Sequence, residues 1–438
     1  MRSRTNTATY EGWGKIFCSY SEIRLDWLVC VLMFLATVDY RFRLFQGMPS
    51  FTVAEVGSYA AALLLIGFIS LGDTPWTGYL RDLYSENRQV LRYFAWVMVA
   101  CIVGVARSKD IVPVVKDLFP AFVLYVLIVS TVRTGDQIRR VLVAFLSGIG
   151  VNAVLGIFQV MTNGFYVGEM HEITFQKTDQ YGNIVDHLAM GFMAHPNGFA
   201  LILLPAILLI TAALRFNYFR SRSMNGVLLI LLFLTGFDLY NTFSKGAMGW
   251  TAIGVLLLLV APRIRSGWRF PVGVGVLLLG IGSFIAISIW LFFNYSEAFG
   301  TTLGRIELWN AGVMAVLSDP WIFLFGSGFA VMKEYTYLLY AYPLDNAHNG
   351  YLNQAIQYGV PAMIFFFIVV LSNMRNLARG GGKEGQDPII YFLFALHVAF
   401  FGVYFFELGQ QGVSLQAMTF AMFAITTIIL RGEKKAQE

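Results

Sequence analysis

Apolar stretches recur along the whole chain and are separated by short polar or charged segments. Runs such as ALILLPAILLITAAL, residues 200–214, and FPVGVGVLLLGIGSFIAISIWLFF, residues 270–293, approach or exceed the roughly 20 residues that a helix needs to cross the hydrocarbon of a bilayer. One such run could be a buried helix of a soluble protein. Its recurrence between charged clusters favours membrane spans instead.

The pattern predicts twelve transmembrane helices and therefore an all-α integral membrane protein, a single polytopic domain over residues 1–438. Two long loops, residues 162–196 and 294–350, lie on one side of the membrane. The second contains an amphipathic segment, TTLGRIELWNAGVMAVL, which should end at Asp319, since the following Pro320 disfavours helix in that residue. The predicted spans are residues 25–40, 52–71, 90–106, 112–131, 141–161, 197–214, 225–243, 246–262, 270–293, 351–374, 388–406 and 412–430.

Composition and charge agree with this prediction and indicate which side of the membrane each loop occupies. The chain is 57% hydrophobic and only 13% charged, and its mean hydropathy is +0.64. All but nine of the 31 lysines and arginines lie in the N-terminal segment or in loops opposite the two long ones. Because basic loops stay cytoplasmic, we expect both termini inside and the long loops outside. The net charge of +5 therefore reflects topology and contact with anionic lipid, and no nucleic-acid partner is expected. The nine exceptions are Arg41, Arg43, Arg107, Lys109, Lys116, Lys177, Lys245, Arg305 and Lys333.

Polar residues cluster at the outer entrance to the tenth predicted span, in the stretch LDNAHNGYLNQAIQYGVP, residues 344–361. His348 is the candidate for chemistry there, because a neutral imidazole can take a proton from a hydroxyl group near neutral pH. The alternative is that His348 only caps the helix together with Asn346 and Asn349, since asparagine is a favoured N-cap. Asn353 lies one turn further along and could orient the histidine.

Two of the outer basic residues are further candidates. Arg305 precedes Trp309 by four positions, so both side chains share one face of the amphipathic helix. It could instead be an interfacial arginine whose stem lies on apolar surface. Lys245 lies in the turn NTFSKGAMG. Its alternatives are an interfacial anchor or a partner for Asp238, seven residues earlier on the same helix face.

Aromatic residues of the second long loop could stack on sugar rings, or form an interfacial belt that needs no ligand. They are Trp321, Phe323, Phe325, Tyr335, Tyr337, Tyr340 and Tyr342. A separate histidine, in the sequence His195-Pro196-Asn197, is typical of a helix start with proline in the first turn, and a direct chemical role for it is the minor interpretation.

The order and spacing of several motifs are more specific than any one of them. NTFSKGAMG, then LGRIELWNAG followed by DPWIFLFGSGF, then NAHNGYLNQAIQYGVPA resemble the bacterial O-antigen ligase and polymerase superfamily, including exopolysaccharide polymerases of the succinoglycan type. AHPNGFALILLP also resembles that family's entry to its middle span. The resemblance covers roughly residues 190–372, and the HNGYL run is most similar to the exopolysaccharide branch.

The resemblance implies an integral-membrane glycosyltransferase of the bacterial cytoplasmic (inner) membrane, whose active site faces the periplasm and needs no cofactor or metal. Such a protein transfers a glycan from undecaprenyl diphosphate to a hydroxyl group, on a growing exopolysaccharide or O-antigen in a polymerase, or on lipid A-core in a ligase. Chain-length-regulating and export proteins are candidate partners. A transporter or flippase is the alternative of another class, but transporters usually carry ionisable residues near the bilayer midplane, whereas the strongest outer charges here lie at helix ends and in loops.

The resemblance also implies roles for residues. The family's outer-face histidine falls on His348, as the base, and the arginine ahead of its Trp-containing helix falls on Arg305. Lys245 stands where the family usually has another arginine, and lysine lacks the two parallel donors with which arginine binds phosphate. The expected substrate-binding residues are Asn346, Asn349, Asn353, Trp309 and Asn197.

Overall fold

The computed structural model describes most of the chain, in several stretches. These are residues 25–38, 41–42, 51–71, 76–105, 116, 118–162, 176–178, 184–193, 195–294, 300–328, 330–340, 346–380, 388–406 and 413–435. Residues 1–24 and parts of the two predicted outer loops, 162–196 and 294–350, lie outside these stretches.

The architecture is that of an all-α membrane protein. Its helices are α1 (Leu25–Thr37), α2 (Val53–Leu71), α3 (Trp76–Val105), α4 (Phe119–Thr131), α5 (Gly135–Met161), α6 (Pro196–Arg215), α7 (Arg222–Asn241), α8 (Lys245–Val260), α9 (Ser266–Asn294), α10 (Gly300–Leu317), α11 (Pro320–Phe325), α12 (Ala330–Tyr340), α13 (Gly350–Tyr358), α14 (Val360–Gly380), α15 (Ile389–Val403) and α16 (Val413–Lys435). Two short antiparallel strand pairs accompany them: β1 (Arg41–Phe42) with β2 (Phe51–Thr52), and β3 (Gln176–Thr178) with β4 (Ile184–His187).

A helix occupies each of the twelve predicted spans over at least part of its length. Within the described stretches, six helical segments are long and apolar enough to cross a membrane by length and composition, and further apolar helices are shorter. Those six are Gly135–Met161, Pro196–Arg215, Arg222–Asn241, Lys245–Arg263, Val360–Gly380 and Ser414–Gly432.

The tenth predicted span, residues 351–374, is not one helix, and on this point the sequence-based prediction is wrong. α13 ends at Gly359, whose φ of 88° lies in the left-handed region that favours glycine, and α14 starts at the next residue. A side chain at Gly359 would overlap the carbonyl group of Leu324 in α11. The break therefore depends on a contact with a distant segment, which hydropathy does not register.

α6 lies at the centre of the bundle and is buried along nearly its whole length. It packs against α5, α7, α8 and α15. α7, by contrast, exposes large apolar side chains such as Ile230 and Phe233, the arrangement expected of a helix that borders lipid.

One end of the bundle carries the basic side chains that the sequence predicts to be cytoplasmic. Arg140 at the start of α5 forms a 2.8 Å ion pair with Asp26 of α1. Arg269 near the start of α9 is buried and places its guanidinium 5.0 Å from the ring centre of Tyr391 in α15. Arg431 of α16 donates a hydrogen bond to the Val129 carbonyl in α4. We call this the basic end; α15 starts there and runs to the opposite end.

Candidate active site

The turn at residues 404–406, which follows α15 at the end opposite the basic end, is contacted by two segments that carry candidate residues. The Gly350 backbone N–H at the start of α13 donates to the Tyr404 carbonyl at 2.7 Å, and the Tyr404 ring packs on Gly350. Trp309 of α10 packs edge-on against Phe405, with ring centres 5.5 Å apart. The turn therefore joins the helix that carries Arg305 to the loop that carries His348.

The His348 loop, residues 346–349, is held by asparagine side chains. The Asn346 side-chain oxygen accepts a hydrogen bond from the His348 N–H at 3.1 Å, and the Asn353 side-chain oxygen accepts one from the Ala347 N–H at 2.9 Å. Asn349 caps α13, because its side-chain oxygen accepts from two N–H groups of the first turn. The capping interpretation is thus correct for Asn349, while Asn346 and Asn353 fix the loop that precedes the helix.

The same loop presents His348 outward. Asn346, Ala347, Asn349 and Gly350 are all buried, and His348 between them is only partly so. Its φ of 45° lies in the left-handed region, which residues with a side chain adopt uncommonly; Asn217, Arg220 and Phe243 do so as well.

α10 packs directly on α13. A side chain at Gly312 would touch Leu352, and Leu308 and Ala311 of α10 share one apolar cluster with Ala347 of the His348 loop. Arg305 is half-buried and lies on the same helix, three residues before Leu308 of that cluster.

Trp309, one turn after Arg305, has an indole N–H that is buried and has no hydrogen-bond acceptor among the described residues. A buried donor in this state normally has a partner, so Trp309 is a candidate donor to an acceptor oxygen.

Lys245 is the first residue of α8 and is exposed. Five residues later, the Trp250 ring packs against Gly402 near the end of α15, which puts Lys245 at the same end of the bundle as the turn at 404–406. Asp238 does not neutralise the charge of Lys245. Asp238 is fully buried against Gly156 of α5, and no basic group of the described chain lies within ion-pair distance of its carboxylate.

The start of α6 lies at this end too. His195 caps the helix: its Nδ1 accepts a hydrogen bond from the Asn197 N–H at 3.0 Å, and Pro196 occupies the first helical position. The prediction of a helix start here is confirmed. Burial lowers the pKa of the His195 imidazole below its usual value, because a charged ring is poorly solvated there.

Two buried side chains that the sequence interpretation passed over hold the segment before α6, residues 189–193. Gln159 of α5 donates to the Gly191 carbonyl and accepts from the Gly191 N–H, both at 2.9 Å, and Asn152 accepts from the Phe192 N–H at 3.0 Å. Non-helical backbone inside a membrane protein needs such partners. In the sequence, the pattern that could have drawn attention to Asn152 and Gln159 is a pair of amide side chains seven residues apart in an apolar span.

The same segment is tied to the turn that carries Lys245. The Ala189 N–H donates to the Asn241 carbonyl at the end of α7, four residues before Lys245. Asn197 and Lys245 therefore stand on neighbouring elements, as do Arg305, Trp309 and His348 on α10 and the His348 loop.

The comparison with protein families adds a decisive observation. Residues 227–367, from α7 into α14, match the family model described as O-antigen ligase. This match supports the resemblance of the segment to the O-antigen ligase and polymerase superfamily. None of the curated proteins compared matches the chain.

The O-antigen ligase match contains Lys245, Arg305, Trp309 and the whole His348 loop, whereas His195 and Asn197 precede it. The apolar helices indicate a multi-pass membrane protein, and the domain match supports a glycosyltransferase-like role in polysaccharide biosynthesis. The closer similarity to succinoglycan-type polymerases stays a prediction. Within the described stretches, no three His, Cys, Asp or Glu side chains are placed to hold a metal ion.

Proposed function

We propose that this protein transfers a glycan from undecaprenyl diphosphate to a sugar hydroxyl and so polymerises exopolysaccharide or O-antigen repeat units. The observation that carries the proposal is the direct packing of α10, with Arg305 and Trp309, on the loop that presents His348. The O-antigen ligase match over the same segments supports it. In this proposal the site faces the periplasm from the bacterial inner membrane.

Arg305 and Lys245 are the groups for the diphosphate. When the bond from the anomeric carbon to the diphosphate oxygen breaks, negative charge grows on the leaving group, and fixed cations stabilise it most where water is scarce. Half-buried Arg305 can bind two phosphate oxygens in a fixed geometry. Lys245, exposed at the start of its helix, adds a compact charge without that geometry.

His348 is the base. The acceptor hydroxyl oxygen attacks the anomeric carbon, its proton passes to the neutral imidazole, and undecaprenyl diphosphate leaves with the electron pair of the broken bond. The asparagines fix the position of the imidazole by fixing its loop, and the Trp309 N–H offers a hydrogen bond to a substrate oxygen. Asn346, Asn349, Asn353 and Asn197 are proposed to line the glycan site.

The test is complementation of a deletion strain with His348→Ala. We expect polymer formation to fall by about 10²-fold or more, the usual contribution of a general base, with unchanged protein in the membrane. His187→Ala, on β4 outside the site, is the matched control and should complement fully. Normal polymer from His348→Ala refutes the role of His348.

A ligase is the second candidate, because the matched family is described by that activity. Its acceptor would be lipid A-core instead of a growing glycan. The deletion strain separates the two: loss of high-molecular-weight exopolysaccharide or O-antigen polymer indicates the polymerase, and rough lipopolysaccharide with intact exopolysaccharide indicates the ligase.

A further inference from the structure

α11 is an apolar helix without a buried side chain. Its sequence is PWIFLF, and Trp321, Phe323 and Leu324 are 46%, 39% and 40% exposed. Leu317, at the end of the preceding helix, is 63% exposed. Apolar side chains that remain in water do not gain the free energy of burial. An exposed apolar surface of this composition therefore indicates that another molecule contacts it. We call these four residues the α11 surface.

α11 is fixed to the membrane helices and does not project away from them. The Phe325 ring stacks on Trp96 of α3, with ring centres 5.7 Å apart and planes inclined by 6°. After the helix, the Ser327 N–H donates to the Ile356 carbonyl of α13 at 3.0 Å, and Gly326 meets the backbone at Gln357. The helix also packs on α14.

The surfaces on both sides of α11 are those expected to border lipid. α3 exposes Met98 and Ile102, and α14 exposes Ile364, Phe367 and Ile368. The α11 surface thus continues an exposed apolar face that two membrane helices already form.

The positions of the residues that α11 contacts on α3 and beside α14 indicate how deep α11 lies in the membrane. Trp96 lies ten residues before residue 106, the predicted outer end of its span, which is about 15 Å at 1.5 Å per residue. Gly359, in contact with Leu324, lies 16 residues before Arg375 at the cytoplasmic end of α14, or about 24 Å from it. Since the hydrocarbon is about 30 Å thick, the first value puts Trp96 and the Phe325 ring near the midplane, and the second puts Leu324 about 6 Å inside the outer boundary. Both values put the end of α11 inside the hydrocarbon.

We propose that α11 dips into the outer leaflet and that lipid acyl chains cover the α11 surface, although hydropathy assigns these residues to the outer loop 294–350. A six-residue helix is about 9 Å long, which is enough to bring Asp319 from the depth of Leu324 to the headgroups while Phe325 lies in hydrocarbon. Asp319 caps the helix by accepting a hydrogen bond from the Trp321 N–H at 2.7 Å. Trp321 then sits where interfacial tryptophans are common.

Spin labelling tests this. A nitroxide is attached at Phe323→Cys in full-length protein that lacks Cys18, Cys30 and Cys101 and is reconstituted in liposomes. Collisions with oxygen, which concentrates in lipid, are compared with collisions with a water-soluble nickel chelate. Phe233→Cys on α7, from a side chain 73% exposed, is the lipid control; Asp136→Cys, from one 84% exposed at the start of α5, is the water control.

We expect the Phe323→Cys label to match the lipid control, with high oxygen accessibility and little access to the nickel chelate. A label that matches the water control overturns the proposal. Leu324→Cys is measured in parallel, so that a variant that does not fold leaves a second site with the same expected result.

Discussion

The asparagines around His348 show how one partly exposed imidazole is placed on an apolar scaffold. The Asn346 and Asn353 oxygens accept hydrogen bonds from backbone N–H groups of the loop, and Asn349 starts the helix behind it. A buried N–H without an acceptor costs about 1–3 kcal/mol, so each amide restricts the loop to one conformation. In the proposed mechanism this fixed loop holds the imidazole near its working position before a substrate binds, which is how a base gains efficiency.

Lys245 is the side chain whose role is easiest to separate from folding, because it is exposed. Lys245→Ala should lower glycan transfer about tenfold or more, since it removes one of two charges beside the diphosphate. Lys245→Arg should keep or raise the activity, because arginine adds a bidentate geometry. Arg265→Ala, an exposed basic residue at the basic end, is the control. Equal activity of Lys245→Ala and Arg265→Ala contradicts the diphosphate role.

His195 makes the start of α6 sensitive to acid. Burial lowers the pKa of the folded imidazole, so below the ordinary pKa of about 6.5 the unfolded chain binds more protons than the folded one. The stability is therefore intact above pH 6.5 and falls as the pH drops below it. Protonation also removes the Nδ1 acceptor that caps the helix.

His195→Asn keeps a favoured cap without a titrating ring. We expect the decrease in Tm between pH 7.5 and pH 5.5, measured in detergent, to be smaller for this variant than for the wild type. An equal decrease in both proteins would show that His195 is not the group that titrates.

Among the helices, α11 and α13 meet through two glycines in the left-handed region. Gly326 has a φ of 67° and approaches the backbone at Gln357, and Gly359 has a φ of 88° and approaches that of Leu324. This reciprocal contact fixes the angle between α13 and α14, and hence the direction in which the His348 loop leaves the membrane helices.

Gly359→Ala should therefore destabilise the protein by more than about 1 kcal/mol, because alanine neither adopts this φ nor fits beside Leu324 without strain. The measurement is thermal unfolding together with glycan transfer. Gly236→Ala is the control: Gly236 is inside α7 with open space where the Cβ would be, so this change should be neutral or stabilising. A Gly359→Ala protein as stable as Gly236→Ala would contradict the proposed fit.

The helices also show what hydropathy can and cannot predict. A helix lies in each predicted span because a membrane helix needs a long apolar run, although only six helical segments of the described residues are long and apolar enough to cross a membrane. The Asp319-Pro320 pair correctly marks the end of α10. The break at Gly359 was missed, because it depends on Leu324, 35 residues earlier. The candidate residues came from their chemistry, their position at helix ends and the motif resemblance. Two amides in an apolar span mark Asn152 and Gln159 as unusual, but their support of residues 189–193 depends on contacts with a separate segment.

Across the full chain, α15 connects two chemically different ends. Tyr391 near its start contacts Arg269 among the basic residues, and Tyr404 after its end contacts Gly350 beside His348. Lys245 and the start of α6 lie at the second end. The positive-inside rule predicts that the arginine-rich end faces the cytoplasm, and in the proposed function the opposite end faces the periplasm.

The most direct test uses purified protein in liposomes with an undecaprenyl-diphosphate-linked oligosaccharide. We expect the wild type to form new glycosidic bonds and to release one free undecaprenyl diphosphate for each. His348→Ala should form neither product while still inserted and folded. Movement of the intact lipid-linked oligosaccharide between leaflets without a new bond, or undiminished transfer by His348→Ala, would contradict the proposed function.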